Sequence, residues 1–172
     1  MVLLDGKEKY GLVSRLLHWG MAALFAWQFT GMILLAILGK TPLVKFFLGT
    51  HGNIGVLLLT LIVLRAIWAL SNASRRPAAI NIMAQLGHLA LYGLVLIIPT
   101  LALIRSYGSG RAFVPFGIPF WDASEKIEWM VDLGDMFHGE LAWLLLALIA
   151  GHIVMALWHR TVKRDRVWER MA

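Results

Sequence analysis

The sequence predicts an all-α fold: an integral membrane four-helix bundle with both termini cytoplasmic and a long outer-side loop between the third and fourth helices. Three observations carry this. Of the 172 residues, 59% are hydrophobic and the mean hydropathy is +0.72, an excess over soluble domains that points to a polytopic membrane protein. The apolar residues gather into four runs, each long enough to cross a hydrocarbon core of about 30 Å. The basic residues flank those runs unequally, which fixes an orientation.

The first run spans about 12 to 38, is approached through Lys7, Lys9 and Arg15, and is broken by Gly39, Lys40, Thr41 and Pro42. A short amphiphilic connection over 43–49 leads to the second, about 50 to 70, which closes in SNASRRP. Pro77 and the residue before it disfavour helix there. The third covers about 84 to 104 and contains Pro99, which packed membrane helices tolerate. Residues 105–135 read as the long connection, rich first in Gly, Pro and aromatics and then in acid. Its Phe120, Trp121 and Trp129 suit a segment lying at the membrane surface. The fourth run, 138–159, is HGELAWLLLALIAGHIVMALWH, followed by a basic tail. The 172 residues read as one domain, and no secretory signal is expected from the polar first ten.

With the N-terminus in the cytoplasm, that side holds Lys7, Lys9, Arg15, Arg75, Arg76, Arg160, Lys163, Arg164, Arg166 and Arg170. The other side holds Lys40, Lys45, Arg105, Arg111 and Lys126. Such a bias orients a multi-pass membrane protein with both termini in the cytoplasm. The net charge of +6 therefore speaks for lipid and not for nucleic acid. Absence of cysteine excludes disulfides, thiolate ligation and iron–sulfur clusters.

Ionisable rings inside hydrocarbon are costly and mark function. Because successive spans alternate in direction, position converts to depth. His51 and His138 form an outer layer, while His18, His88, His152 and His159 lie toward the cytoplasm. His138 and His152 are fourteen residues apart, which leaves them about 40° apart on one helix face and about 21 Å apart along its axis. One helix thus offers two ligands at two depths, as two stacked haems require. The outer haem then takes His51 with His138. For the inner one, His152 is favoured and either His18 or His88 can oppose it. Bis-histidine ligation fits a low-spin b haem. Gly20, Gly52, Gly55, Gly87, Gly139 and Gly151 lie close to these histidines and leave room for a flat group, although glycines also serve ordinary helix packing. Arg65, fourteen residues beyond His51, needs an anion such as a propionate of the inner haem, or else snorkels to the surface. Arg105 and Arg111 suit an anion entrance or plain interfacial anchoring. A proton or metal transporter is disfavoured because the spans hold only one carboxylate, Glu140 near the outer end of the fourth, and show no inverted repeats.

The stretches YGLVSRLLHW, HGNIGVLLLTLIVLRAIW, GHLALYGLVLIIP and HGELAWLLLALIAGHIVMALWHRTVKRDRVWERM together resemble the bacterial cytochrome b561 family over nearly the whole chain. The resemblance implies a diheme b-type membrane cytochrome, with His18 and His152 on the inner haem iron and His51 and His138 on the outer. It further implies a cytoplasmic quinone site near His88 and His159. Arg160 stands where a second histidine is common, and Ala102 where glycine is frequent. Similarity to superoxide-oxidising members makes the expected activity electron transfer from superoxide, or another periplasmic donor, to ubiquinone. The alternative is a non-enzymatic anchor subunit that passes electrons to quinone from a dehydrogenase or hydrogenase.

Overall fold

A backbone in hydrocarbon must satisfy its N–H and C=O groups within itself, so an apolar run of this length becomes helix. The computed structural model describes residues 2–172 and contains four long helices: α1 (Leu12–Leu38), α2 (Pro42–Ser71), α3 (Ile82–Gly108) and α4 (Glu128–Trp158). Each is long and apolar enough to span a membrane. A π-turn, His159–Lys163, prolongs α4, and 3-10 turns occupy Pro115–Gly117 and Trp168–Arg170. Among the described residues the only strand-like pairing is one β-bridge between Phe113 and Trp121.

Two boundaries differ from the sequence reading. The connection expected over 43–49 is instead the first turns of α2. Thr41 caps this helix by accepting from the Val44 N–H, and Pro42 sits in its first turn, where a missing N–H costs nothing. Likewise α4 starts ten residues before His138, so the expected 105–135 connection shrinks to 109–127. Asp132 and Asp135 suggested loop because they are charged. However, 31 residues make a helix of about 46 Å, longer than the hydrocarbon slab, and its first turns can carry acid beyond it.

The helices form two hairpins, α1 with α2 and α3 with α4, joined by an α2–α3 contact. Met21, Leu58, Ile62, Val95, Ile98 and Leu145 form the shared core. It is thin, and large apolar side chains such as Ile37, Leu70 and Met83 face outward along the helices, as lipid-facing surfaces do. Close approach rests on three glycines. A Cβ on Gly31 would lie 2.7 Å from the Phe47 Cβ, and one on Gly108 2.4 Å from the Met130 Cβ. On Gly134 it would lie 2.4 Å from the Cβ of Arg105.

Both chain ends fold against one end of the bundle. Buried Asp5 accepts from the Gly11 N–H and the Ser14 hydroxyl, each at 2.9 Å, and pairs with Arg76 Nε at 3.2 Å. The tail returns after the π-turn: His159 Nδ1 pairs with Asp165, and the Trp19 indole donates to the Met171 carbonyl at 3.0 Å. Arg170 reaches the Ala78 carbonyl at 2.9 Å. At the opposite end, residues 109–127 fold into a small aromatic hairpin. Phe113 stacks on Trp121 at 5.0 Å, and the Phe116 N–H reaches Asn53 Oδ1 at 3.4 Å.

Gly134→Ala should cost about 1–3 kcal/mol through overpacking, even though alanine is the better helix former. Gly49→Ala, where a Cβ meets open space, should be neutral or slightly stabilising. Thermal unfolding in one detergent compares the two, and an undiminished midpoint for Gly134→Ala would show that α3 and α4 do not meet there. Burial opposes ionisation of Asp165, but hydrogen bonds from His159 and the Val167 amide, with the charges of His159 and Lys163, hold its carboxyl below the usual carboxylate range. A depressed folded value means that its contribution is complete above about pH 4 and lost as pH falls through the lower folded value. At neutral pH, Asp165→Asn should therefore speed hydrogen exchange of the 165–172 amides several-fold while exchange within α1 to α4 stays unchanged.

Candidate functional site

The bundle faces two pairs of imidazoles at each other. Toward the hairpin end, His51 on α2 and His138 on α4 have ring centroids 6.1 Å apart, with planes at 73°. Toward the end bearing the termini, His18 on α1 and His152 on α4 stand 6.2 Å apart at 69°. Neither α1 nor α2 packs along α4, so both pairs reach across the cleft between the hairpins.

That spacing fits one metal held between two rings. Metal–nitrogen bonds of about 2 Å on either side place imidazole centres about 6 Å apart. The donor set is also right, because neutral imidazole pairs suit a b haem. His138 is further prepared by its surroundings. Its Nδ1 lies 3.1 Å from the Ile98 carbonyl, which can only accept, so the proton sits on Nδ1 and Nε2 keeps its lone pair. Around this pair lies an apolar cleft of about 230 Å³, walled by Phe25, Phe29, Val56, Pro99, Ala102 and Leu145 among others. Gly52 and Gly55 line it too. At Gly20, Gly87, Gly139 and Gly151 a Cβ would meet nothing within 4 Å. Helix packing therefore does not require these four glycines; it uses Gly31, Gly108 and Gly134.

The second cluster contains a third ring. His88 on α3 stands 5.6 Å from His152, nearer than His18 does, so proximity alone does not choose between them. The 6.2 Å of His18 is the separation that repeats the first pair. Arg65 turns inward, with Nη2 3.2 Å from His18 Nδ1 and its guanidinium carbon 5.3 Å from the centre of the Tyr92 ring. A guanidinium only donates, so in this arrangement His18 Nδ1 accepts and Nε2 carries the proton. Binding iron through Nε2 requires Arg65 to release Nδ1. His159 joins none of these rings; it is buried and engaged by Asp165.

The basic residues at the hairpin end are partly neutralised. Arg105 pairs with Asp135. Lys126 bonds Glu128 at 2.8 Å, and that bond raises the Lys126 pKa above its usual value. Arg111 stays exposed. Sequence reasoning passed over Gln28, a polar side chain in the first span, whose Nε2 donates to the His51 carbonyl at 3.0 Å. Its polarity within an apolar run was the available signal. Nothing local signalled the Ile98 carbonyl, because every helical residue has one.

A family profile described as prokaryotic cytochrome b561 matches residues 9–172. The chain is also 29% identical to "Cytochrome b561 homolog 2" of Escherichia coli (strain K12) over 179 aligned positions, which cover 95% of this chain and 91% of that protein. The four spans, the imidazole pairs and the profile match converge: the chain belongs to the prokaryotic cytochrome b561 family, as a multi-pass bacterial membrane b-type cytochrome of electron transfer.

Proposed function

We propose that this cytochrome binds two b haems, one between His51 and His138 and one between His18 and His152, and oxidises superoxide at the outer face while reducing ubiquinone. The observation that carries the two-site reading is the near-identity of the two imidazole separations, 6.1 and 6.2 Å, on opposite halves of one helix. In this reading the termini face the cytoplasm of an inner-membrane protein, as the basic-residue bias favours. When bound, bis-histidine b haems supply one-electron transfer with no open coordination position.

The residues of the chain supply the rest. His51 and His138 hold the outer group, and the Ile98 carbonyl fixes the His138 ring. His18 and His152 hold the inner one. Arg65 then exchanges its His18 contact for an anionic partner, which a propionate offers. Arg111, with Lys40 and Lys45, makes the outer face attractive to a small anion, while Arg105 joins that entrance only to the extent that Asp135 releases it. His88 and His159 serve the quinone, with Asp165 fixing the His159 ring. Overall, two superoxide anions each lose one electron to become O2, and ubiquinone gains the two electrons and two protons to become ubiquinol. A second reading is the anchor subunit. Asp122, Glu125 and Asp132 are exposed at the outer end and free of the ion pairs that engage Asp135 and Glu128, a surface that suits a basic donor protein.

Haem analysis checks the sites. Wild-type protein should hold two haems per chain. His138→Ala should hold one, with the inner spectrum intact, and His18→Ala should likewise lose one while His88→Ala keeps both; two haems surviving in His138→Ala refutes the pairing. For the activity, superoxide generated enzymatically beside proteoliposomes should accelerate ubiquinol formation, and a superoxide scavenger should abolish the gain. No acceleration by superoxide, with two haems present, favours the anchor reading.

A further inference from the structure

Gln28 is the one polar side chain that α1 turns into the cleft beside His51 and His138. Its amide orientation is set by a neighbour: Nε2 donates to the His51 backbone carbonyl at 3.0 Å, and the reverse orientation would set two acceptors against each other. Oε1 is consequently the free end. It is buried and accepts from nothing among the described residues. A buried amide oxygen without a donor is unfavourable, and it signals a partner that arrives with a ligand or a rearrangement.

His51 shows the complementary lack. Its ring forms no hydrogen bond among the described residues, whereas the His138 ring is held by the Ile98 carbonyl. An imidazole that binds a metal through one nitrogen keeps an N–H on the other, and that N–H needs an acceptor to fix the ring and raise its basicity. Gln28 already touches the backbone of His51 and carries the free acceptor. We infer that Gln28 is a positioning residue for His51, its Oε1 accepting the ring N–H that remains when the other nitrogen binds the outer haem iron. This rests on the ligand assignment proposed above. The outer site then has one acceptor behind each ligand: a backbone carbonyl behind His138, which substitution cannot remove, and a side-chain amide behind His51, which it can. A held N–H makes imidazole a stronger donor and favours ferric iron, so the amide lowers the outer reduction potential.

The test uses full-length, haem-loaded Gln28→Leu and Gln28→Glu proteins in detergent, with spectroelectrochemical titration and low-temperature EPR. Gln28→Leu should raise the potential of one haem and move its low-spin signal, leaving the other haem unmoved. Gln28→Glu, with its buried carboxyl protonated, keeps a donor for the His51 carbonyl and an acceptor oxygen for the ring, and should hold that potential at or below the wild-type value. Loss of the outer haem in Gln28→Leu with retention in Gln28→Glu has the same meaning. Unchanged potentials and signals in Gln28→Leu overturn the inference, as does an equal shift or an equal haem loss in both variants, which would be a packing effect. Haem content of the wild-type and His138→Ala proteins judges the ligand assignment separately: if that stands and the Gln28 variants do not respond, only the role of Gln28 falls.

Discussion

Hydrocarbon offers no hydrogen-bond partners, and everything in this protein follows from that. The backbone is forced into helices that satisfy themselves. The few polar side chains left inside must be paired within the protein or with something the protein binds. The spans consequently read as a short inventory of polar contacts: Arg65 on His18, Gln28 on the His51 carbonyl, His138 on the Ile98 carbonyl, the Trp68 indole on the Ser14 hydroxyl. Tyr92 OH and Gln28 Oε1 are buried and lack partners among the described residues. Gln28 touches the His51 backbone, and Tyr92 lies one helical turn from His88 and under the Arg65 guanidinium.

The two helix hairpins turn this constraint into a scaffold. Each is drawn tight by glycine, at Gly31 in the first and at Gly108 and Gly134 in the second. Between the hairpins only α2 and α3 pack substantially. The remaining gap is bridged by imidazoles as well as by the shared aliphatic core at Leu145, and α4 contributes one ring to each pair. His138 and His152 are held on one stiff helix, so their separation along the axis cannot drift independently. That arrangement makes α4 the common spine of both imidazole pairs. Pro99 belongs to the same design: a ring nitrogen without hydrogen leaves the Val95 carbonyl without its helical donor, next to the place where Ile98 turns its own carbonyl to His138.

Charge is handled differently at the two ends. Where the termini meet, single acids pair with bases and one member of each pair is buried: Asp5 under Arg76, and exposed Asp165 against buried His159. Together with Arg170 on the Ala78 carbonyl and the Trp19 indole on the Met171 carbonyl, these contacts join the N-terminal segment, the α2–α3 connection and the tail into one cap. At the hairpin end, pairs such as Arg105–Asp135 and Lys126–Glu128 are exposed and screened by water, so they add little stability but do reduce the net positive field. An anion approaching this end meets Arg111, Lys40 and Lys45 more than Arg105.

The sequence by itself determined the four spans and an order of the histidines along them that sorts them into two layers. These depend only on composition and on the helical rise, which are local properties of the chain. It could therefore sort His51 with His138 by depth, and the structure sets those rings 6.1 Å apart. Local signals failed at the boundaries, where capping by Thr41 extended α2 through an amphiphilic stretch and the protruding first turns of α4 carried helix into acidic sequence. Lateral arrangement was decided only by the tertiary structure. Depth left His18 and His88 equivalent, and the fold brings both to His152. It also turns Arg65 onto an imidazole, pairs Arg105 with an acid thirty residues away, buries Asp5, and distinguishes the packing glycines from those that face open space. Which way a residue faces around its helix axis, and what stands opposite, is set by how four helices pack together, and that is not a property of any one of them.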